Sequence, residues 1–300
     1  MSSIPSPNPS PPMFLDVGRL IESSQPRPRQ AWGWYALLGF GAVVVAGSYA
    51  KSQGAAADQA MSAVLGLLVL GVVVAMSVVA GSAARAQKQE QQRLEAVEEL
   101  VQLRRWDQAA FTLDTLLSQP TRSEASRLQA LIYLASVLAR YHRFTDAITV
   151  QEYLLEHAQF DPATAHGLKL MRAMAMLHED HLFDADRAIG ELRRESTDSA
   201  GLALIEMYRD VKTGHPAEAV EMFNARLPEM RNQLGGRVAD AYALAAKSYD
   251  LLERESEAAN HWEKATLLAP PAELVRRYSE LTSINAKYPA AVRPKQGGTP

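Results

Sequence analysis

Two long apolar runs constrain the fold of this chain more than any other feature. Residues 31–50 and 61–83 contain no Asp, Glu, Lys or Arg, and a link of ten residues separates them. At 1.5 Å per residue, helices over these runs measure about 30 and 35 Å, enough to cross a hydrocarbon core about 30 Å thick. The runs therefore predict a transmembrane helical hairpin, with the lipid bilayer as one partner of the chain.

The basic residues around the hairpin predict its orientation. Three precede the first run and three follow the second, whereas the link holds only Lys51. The flanking residues are Arg19, Arg27, Arg29, Arg85, Lys88 and Arg93. The positive-inside bias places both flanks in the cytoplasm. We therefore expect an integral membrane protein of the bacterial inner membrane with both termini cytoplasmic; an organelle membrane is the alternative.

Two other interpretations of the apolar runs fit less well. A signal peptide has a single apolar region of about 7–15 residues behind a short basic start, whereas here a longer run follows a Pro-rich tail and a second run comes after it. A helical hairpin buried in a soluble core is the other interpretation, but residues 61–83 have neither a charge nor a polar face, which a soluble helix of that length rarely tolerates. The pattern favours the membrane.

Small residues within the two runs suit close helix packing. Ala42 and Ala46 in the first run, and Gly71 and Ala75 in the second, form small-xxx-small patterns that let helix backbones approach in lipid. Such patterns are common by chance in sequence rich in Gly and Ala, so helix pairing and a chance match both stay open. Pairing through these residues between two copies of the chain would give a homo-oligomer.

The remaining chain divides into two tails and one helical domain. Residues 1–30 are Pro-rich and predict a disordered tail, although Phe14, Val17, Leu20 and Ile21 recur at a spacing typical of a short helix on the membrane surface. Residues 86–287 predict the helical domain, because amphipathic segments alternate with Pro and Gly breakers. Residues 288–300, again rich in Pro and Gly, predict a disordered tail.

A small residue recurs along the domain at near-constant intervals. The alanines are Ala109, Ala147, Ala185, Ala219 and Ala258, at spacings of 38, 38, 34 and 39 residues. Twelve residues before them stand Val97, Ala135, Ala173, Met207 and Ala246, and four residues after them Leu113, Gln151, Ile189, Phe223 and Trp262. The pattern is clearest between Ala239 and Pro270, where it comprises Tyr242, Ala245, Ala246, Tyr249, Ala258, Trp262, Ala265 and Pro270.

This pattern resembles the tetratricopeptide repeat (TPR), in which small residues let paired helices approach and aromatic residues fill the gaps between them. The resemblance implies an all-α fold: an α-solenoid of about five TPR-like helix pairs over residues 90–270, with a C-terminal capping helix over 271–287. Asp210 and Gln151 depart from it, because both stand where an apolar residue is expected. The register of repeats three and four therefore stays open, and an irregular helical bundle is the alternative.

The resemblance also implies a concave groove lined by the first helix of each pair. The residues expected to bind a partner there are Leu94, Ile132, Arg140, Leu170, Met174, His178, Leu204, Tyr208, Lys212 and Lys247. They predict an apolar floor with a weakly basic edge, which suits a protein or peptide partner with apolar anchors and some acidic residues. Some of these leucines could instead pack first helices together. The columns that clamp a chaperone's carboxylate tail in some members of the family lack the required Lys and Asn.

No motif for catalysis stands out. The chain has no cysteine, which excludes thiolate nucleophiles and disulfides, and its net charge of −3 gives no support for nucleic-acid binding. His178 and His181 are three residues apart, whereas a zinc-protease helix needs two histidines four apart. We therefore expect no enzyme activity, no cofactor and no metal.

Two functions fit these observations. The first is a membrane-anchored scaffold for protein binding, in which the hairpin holds a cytoplasmic TPR-like domain that binds a peptide or helix of its partner. The alternative is an oligomerising membrane subunit of a transport or secretion assembly, in which the hairpin is the working part. The absence of charged residues in either run argues against an ion path through the hairpin.

Overall fold

A computed structural model describes residues 15–26, 41, 85, 87–196 and 199–289. Apart from Gly41, the two apolar runs lie outside these residues, as do the predicted packing residues Ala42, Ala46, Gly71 and Ala75. Within the described residues the regular elements are all helical, and none of these helices is both long and apolar enough to cross a bilayer. The chain divides into two compact units, residues 1–150 and 151–300.

The described helices follow one another with short connections. In the first unit they are α1 (Val17–Ser23), α2 (87–102), α3 (Trp106–Leu117) and α4 (Glu124–Arg140), and α5 (Phe144–His157) contains the boundary between units. In the second unit they are α6 (Pro162–His178), α7 (Leu182–Glu195), α8 (Ala200–Thr213), α9 (Pro216–Gln233), α10 (Val238–Leu251), α11 (Glu255–Leu268), α12 (Pro271–Arg277) and α13 (Thr282–Lys287). Short 3₁₀ turns occupy Gly235–Arg237 and Ser279–Leu281.

Local sequence explains where several of these helices begin. The side chains of Ser123, Asp161 and Ser199 accept hydrogen bonds from backbone N–H groups in the first turns of α4, α6 and α8. Each of them satisfies a donor that the start of a helix leaves unpaired. Pro162 and Pro216 begin α6 and α9, because proline suits the first helical position.

The same turn geometry recurs at five points between consecutive helices. The connecting residues with positive φ are Arg104, His142, Asp180, Gly214 and Glu253, with φ between 57° and 78°. In each turn the N–H of the next residue donates to a carbonyl five residues earlier, at 2.8 to 3.0 Å. This is the hydrogen bond of a Schellman C-cap, in which a left-handed residue ends a helix. The pairs are therefore α2 with α3, α4 with α5, α6 with α7, α8 with α9, and α10 with α11.

The buried small residues follow the predicted register throughout. Ala109, Ala147, Ala185, Ala219 and Ala258 are each the fourth residue of the second helix of their pair, and all are fully buried. The five residues twelve positions earlier, Val97 to Ala246, are also fully buried, and those four positions later are at most 1% exposed. The register of repeats three and four, which the sequence left open, therefore matches that of the others. The helix pairs are those that the tetratricopeptide resemblance implies.

First helices lie side by side in the second unit. There α6 packs on α7, α8 on α9 and α10 on α11, while α8 also contacts both α6 and α10. At the start of α8, a Cβ on Gly201 would stand only 2.9 Å from Leu170 Cδ1. Leu170 therefore packs first helices together, which is the structural role that the sequence left as an alternative to partner binding.

The C-terminal segment, residues 271–287, differs from the single capping helix that we expected. Tyr278 has an extended backbone, with φ −135° and ψ 100°, and it separates α12 from the 3₁₀ turn and α13. The expected apolar stripe is nevertheless buried at Leu274, Tyr278, Leu281 and Ile284. All three pieces of the bent segment contact α10.

The N-terminal segment also differs from its prediction. Residues 15–26 are ordered: α1 packs on α3, and Leu15, Val17 and Leu20 are 1%, 5% and 0% exposed. Buried Arg127 donates to Ser24 Oγ at 3.0 Å and to the Ile21 carbonyl at 2.9 Å. The predicted disordered tail is therefore wrong for residues 15–26. The apolar face of α1 is covered by protein, so it is not free for the membrane surface.

Candidate functional site

The partner-binding residues predicted in the second unit come together on one surface. We define the first-helix surface as the side of α6, α8 and α10 that carries Leu170, Met174, His178, Leu204, Tyr208, Lys212 and Lys247. Leu170, Met174 and His178 are half-buried, whereas Leu204 and Tyr208 are each only 1% exposed. The prediction that these two residues line an open groove therefore needs correction.

The chain's own C-terminal segment lies on this surface and makes Tyr208 inaccessible. The Tyr278 ring contacts the Tyr208 ring edge to face, with centroids 4.9 Å apart, and lies 5.8 Å from the His178 ring. Offset and edge contacts of this kind are favourable between aromatic rings. Tyr278 therefore sits against side chains from two neighbouring first helices, α6 and α8.

Hydrogen bonds of Tyr208 link α8 to α6 and to the segment. Its hydroxyl donates to Glu280 Oε1 at 3.0 Å and lies 3.1 Å from His178 Nδ1. Burial, reinforced by the negative charge of Glu280, raises the pKa of Tyr208 above its ordinary value of 10.0. The hydroxyl therefore stays protonated at neutral pH and remains a hydrogen-bond donor.

Lys212 places a positive charge at the edge of the same cluster. Its Nζ lies 2.6 Å from Asp180 Oδ1 and 3.3 Å from Glu280 Oε1, and it donates to the Leu177 carbonyl at 2.8 Å. The Lys212 side chain is 11% exposed and that of Glu280 is 21% exposed, so water screens this pair less than a surface pair. Lys212 thus binds the carboxylate of Glu280.

The α10 part of the surface holds the rest of the segment. Lys247 Nζ donates to Ser283 Oγ at 2.9 Å, and Lys287 Nζ lies 2.9 Å from Asp250 Oδ1. Both contacts join α10 to α13. Lys247, a predicted binding residue, therefore already has a partner within the chain.

Sequence reasoning missed a buried carboxylate beneath the segment. Asp240 on α10 is fully buried, and Arg277 forms an ion pair with its Oδ1 atom. The Oδ2 atom of Asp240 lies 3.3 Å from Arg237 Nε and 3.4 Å from the Tyr278 hydroxyl. Burial, together with the charge of Asp240, raises the pKa of Tyr278 above 10.0. The signal in the sequence was an Asp within the otherwise uncharged start of an apolar helix. A charge in such a position needs a partner, here Arg277 of the segment.

Three of the predicted binding residues lie in the first unit. Leu94, Ile132 and Arg140 are half-buried. The Arg140 guanidinium lies over the Trp106 ring, 5.4 Å from its centroid, which is cation–π geometry. Arg140 therefore links the end of α4 to the start of α3.

Asp210, which departs from the repeat pattern, belongs to a charged cavity. The cavity has a volume of about 410 Å³ between α7, α8 and the start of α9, and Asp186, Arg193 and Arg209 are among its lining residues. Arg209 Nε donates to Asp210 Oδ1 at 2.9 Å, and Asp210 is 4% exposed. Burial raises the pKa of Asp210, while the adjacent Arg209 opposes the shift. The ion pair with Arg209 thus gives a partner to the charge of Asp210, at a position where the repeat pattern has an apolar residue.

The geometry of His178 and His181 does not match the helical zinc motif. His178 is the last residue of α6 and contacts Tyr208, whereas His181 precedes α7 across a turn that contains Asp180. Within the described residues, no three His, Asp or Glu side chains are grouped so that they could hold a metal ion.

Comparison with known proteins gives one structural similarity. The similar structure is a crystal structure of a thermophilic TPR protein in Thermus thermophilus, with 20% sequence identity and a TM-score of 0.48. The alignment covers 64% of this chain and 98% of that chain. No protein-family model and no curated protein matches the sequence. The repeat fold is defined by the helix pairs, their turns and their buried alanines.

Proposed function

We propose that this chain is a membrane-tethered scaffold that binds a segment of a partner protein on the first-helix surface. The observation that carries the proposal is the way residues 271–287 lie there. His178, Tyr208, Lys212 and Lys247, chosen from sequence as partner-binding residues, all contact this segment. The surface therefore has the apolar, aromatic and basic groups needed to hold an amphipathic segment.

The sequence supports the tether, and the attachment of α1 restricts how its spans can be arranged. Residues 31–50 and 61–83 have the length and composition of membrane spans. Residues 15–26 pack against α3 and α4, and α2, which follows the second apolar run, belongs to the same unit. Both ends of the intervening sequence thus attach to one unit. An even number of spans, as in a hairpin, satisfies this attachment, whereas a single span does not.

Binding without catalysis fits the side chains on the surface. Its Tyr208 hydroxyl and Lys212 ammonium group are paired with carboxylates of Glu280 and Asp180, and the chain has no cysteine that could serve as a nucleophile. The scaffold would act by raising the local concentration of its partner at the membrane.

A pulldown with matched variants tests the proposal. The full chain in mild detergent is compared with Met174→Glu, which puts a charge on the half-buried apolar part of the surface, and with Phe183→Glu, which puts the same charge on α7, where Phe183 is 81% exposed. Circular dichroism checks that both variants are folded. We expect Met174→Glu alone to lose specific proteins identified by mass spectrometry. Identical protein sets for the two variants would contradict the proposal.

A further inference from the structure

We propose that residues 271–287 act as an intramolecular ligand, and that the partner segment recognised by the first-helix surface has the same chemical pattern. The pattern is an aromatic residue, a carboxylate two positions later and aliphatic residues three and six positions later, as in Tyr278, Glu280, Leu281 and Ile284. This inference rests on the proposed function and names the chemistry of the partner. It also implies that the partner must displace the segment.

The aromatic and acidic positions have dedicated contacts. Tyr278 is 1% exposed and packs on Tyr208 and His178, while Glu280 meets both the Tyr208 hydroxyl and the Lys212 ammonium group. A hydrogen bond and an ion pair on one carboxylate oxygen distinguish an acidic side chain from its amide. A segment without either group would leave buried polar atoms of the surface unpaired.

The aliphatic positions supply the apolar contact. Leu281 and Ile284 are fully buried, and the 3₁₀ turn and α13 that contain them pack on α10. Ala243 of α10 is fully buried as well. An aliphatic residue at each of these positions in a partner would bury comparable area and gain comparable free energy.

The construction of the segment suits exchange. It consists of seven-residue and six-residue α-helices joined by a three-residue 3₁₀ turn. Helices of this length are not stable alone, so their order depends on docking to the surface. Pro270 and Pro271 separate the segment from α11 and prevent it from continuing that helix. The segment can therefore leave without unfolding a helix pair, in contrast to α10 or α11.

Self-occupancy would reduce the apparent affinity of the surface for its partner. A competing ligand binds only the fraction of molecules in which the surface is free, so the apparent Kd rises as that fraction falls. A change that weakens the segment but leaves α6, α8 and α10 intact should therefore increase affinity. Loss of an internal contact would then strengthen binding to a ligand in solution, which a purely structural cap does not predict.

Peptide binding to the full chain tests this mechanism. The probe is a fluorescent synthetic peptide with the sequence of residues 271–289, and the release variant is Glu280→Lys, which places a second ammonium group near Lys212. The matched control is Glu263→Lys on the exposed side of α11. We expect the release variant to bind the peptide at least about tenfold more tightly than the wild type or the control. A peptide with alanine at positions 278 and 280 should lose this binding.

Three results would overturn the inference. One is equal peptide affinity in the wild type, the release variant and the control. Another is exchange of segments between copies, seen as a dimer of the release variant by sedimentation, because the occupant would then be a second copy. The third is equal protection from hydrogen exchange in the wild type, which would make the segment a fixed part of the core. We expect instead that the amides of residues 271–287 exchange at least about tenfold faster than those of α10. The Met174→Glu pulldown tests partner binding independently of the peptide experiment, so failure of this inference and failure of the proposed function are distinguishable.

Discussion

At the scale of the residue, buried alanines set how closely the helices of a pair approach. Ala219, on the second helix of the fourth pair, has no exposed surface, and the equivalent alanines of the other pairs share this burial. Their periodic spacing made them predictable from the sequence. The sequence indicates that Asp240 needs a partner but not which one, because Arg277 comes from a segment that returns to α10 after 37 residues.

Replacing a buried alanine by leucine should destabilise the fold. Three additional carbon atoms at Ala219 must push α8 and α9 apart, which costs about 1–3 kcal/mol. Ala217→Leu on the exposed side of α9 is the matched control and should change the free energy of unfolding by less than about 0.5 kcal/mol. Urea denaturation followed by circular dichroism measures both variants; equal stabilities would refute the packing role of Ala219.

His261 should make stability depend on pH. It lies among Phe223, Tyr242 and Tyr249, and burial lowers its pKa below the ordinary value of 6.5. Since the unfolded state then binds more protons, the contribution is fully present above pH 6.5 and is lost as pH falls through the lowered pKa. His261→Gln should therefore flatten the decline in unfolding free energy between pH 7 and 5. An unchanged slope in denaturation series at both pH values would contradict this assignment.

At the scale of the element, the repeated turn fixes the geometry of each helix pair. Four of the five turns use a non-glycine residue in the left-handed conformation, and only the fourth uses glycine, Gly214. The helix pairs followed from the sequence because alanine spacing and turn residues depend on local chemistry. The broken C-terminal segment and the docking of α1 did not, because an apolar helical face does not reveal which surface covers it.

Substitution of Gly214 should test the turn. Its φ of 78° is unfavourable for a residue with a Cβ, although no neighbouring atom lies within 4 Å of that Cβ position. Gly214→Ala should therefore lower the free energy of unfolding by about 1–2 kcal/mol through backbone strain alone. Gly236→Ala is the control, because Gly236 has an ordinary φ and equal space around it. Thermal denaturation should separate the two; a harmless Gly214→Ala would mean that the turn tolerates other geometry.

At the scale of the whole molecule, the N-terminal segment determines how a membrane hairpin can be arranged. Polar contacts join residues 15–26 to the rest of the first unit. Thr121 Oγ1 donates to the Ser24 carbonyl at 2.9 Å, and Arg143 Nη2 donates to the Leu15 carbonyl at 2.8 Å. The chain before the first apolar run and the chain after the second therefore belong to one folded unit. If the two apolar runs span a bilayer, as we propose, this attachment places both flanks of the hairpin on the same side.

Cysteine labelling tests the membrane tether most directly, because the chain has no cysteine of its own. Single cysteines replace Ser2 before the hairpin, Ser52 in its link and exposed Gln91 after it, in the full-length protein. A membrane-impermeant maleimide added outside intact spheroplasts should label Ser52→Cys, whereas Ser2→Cys and Gln91→Cys should react only after the membrane is opened. Labelling of either flank from outside, or protection of all three sites until opening, would contradict a hairpin with both flanks inside.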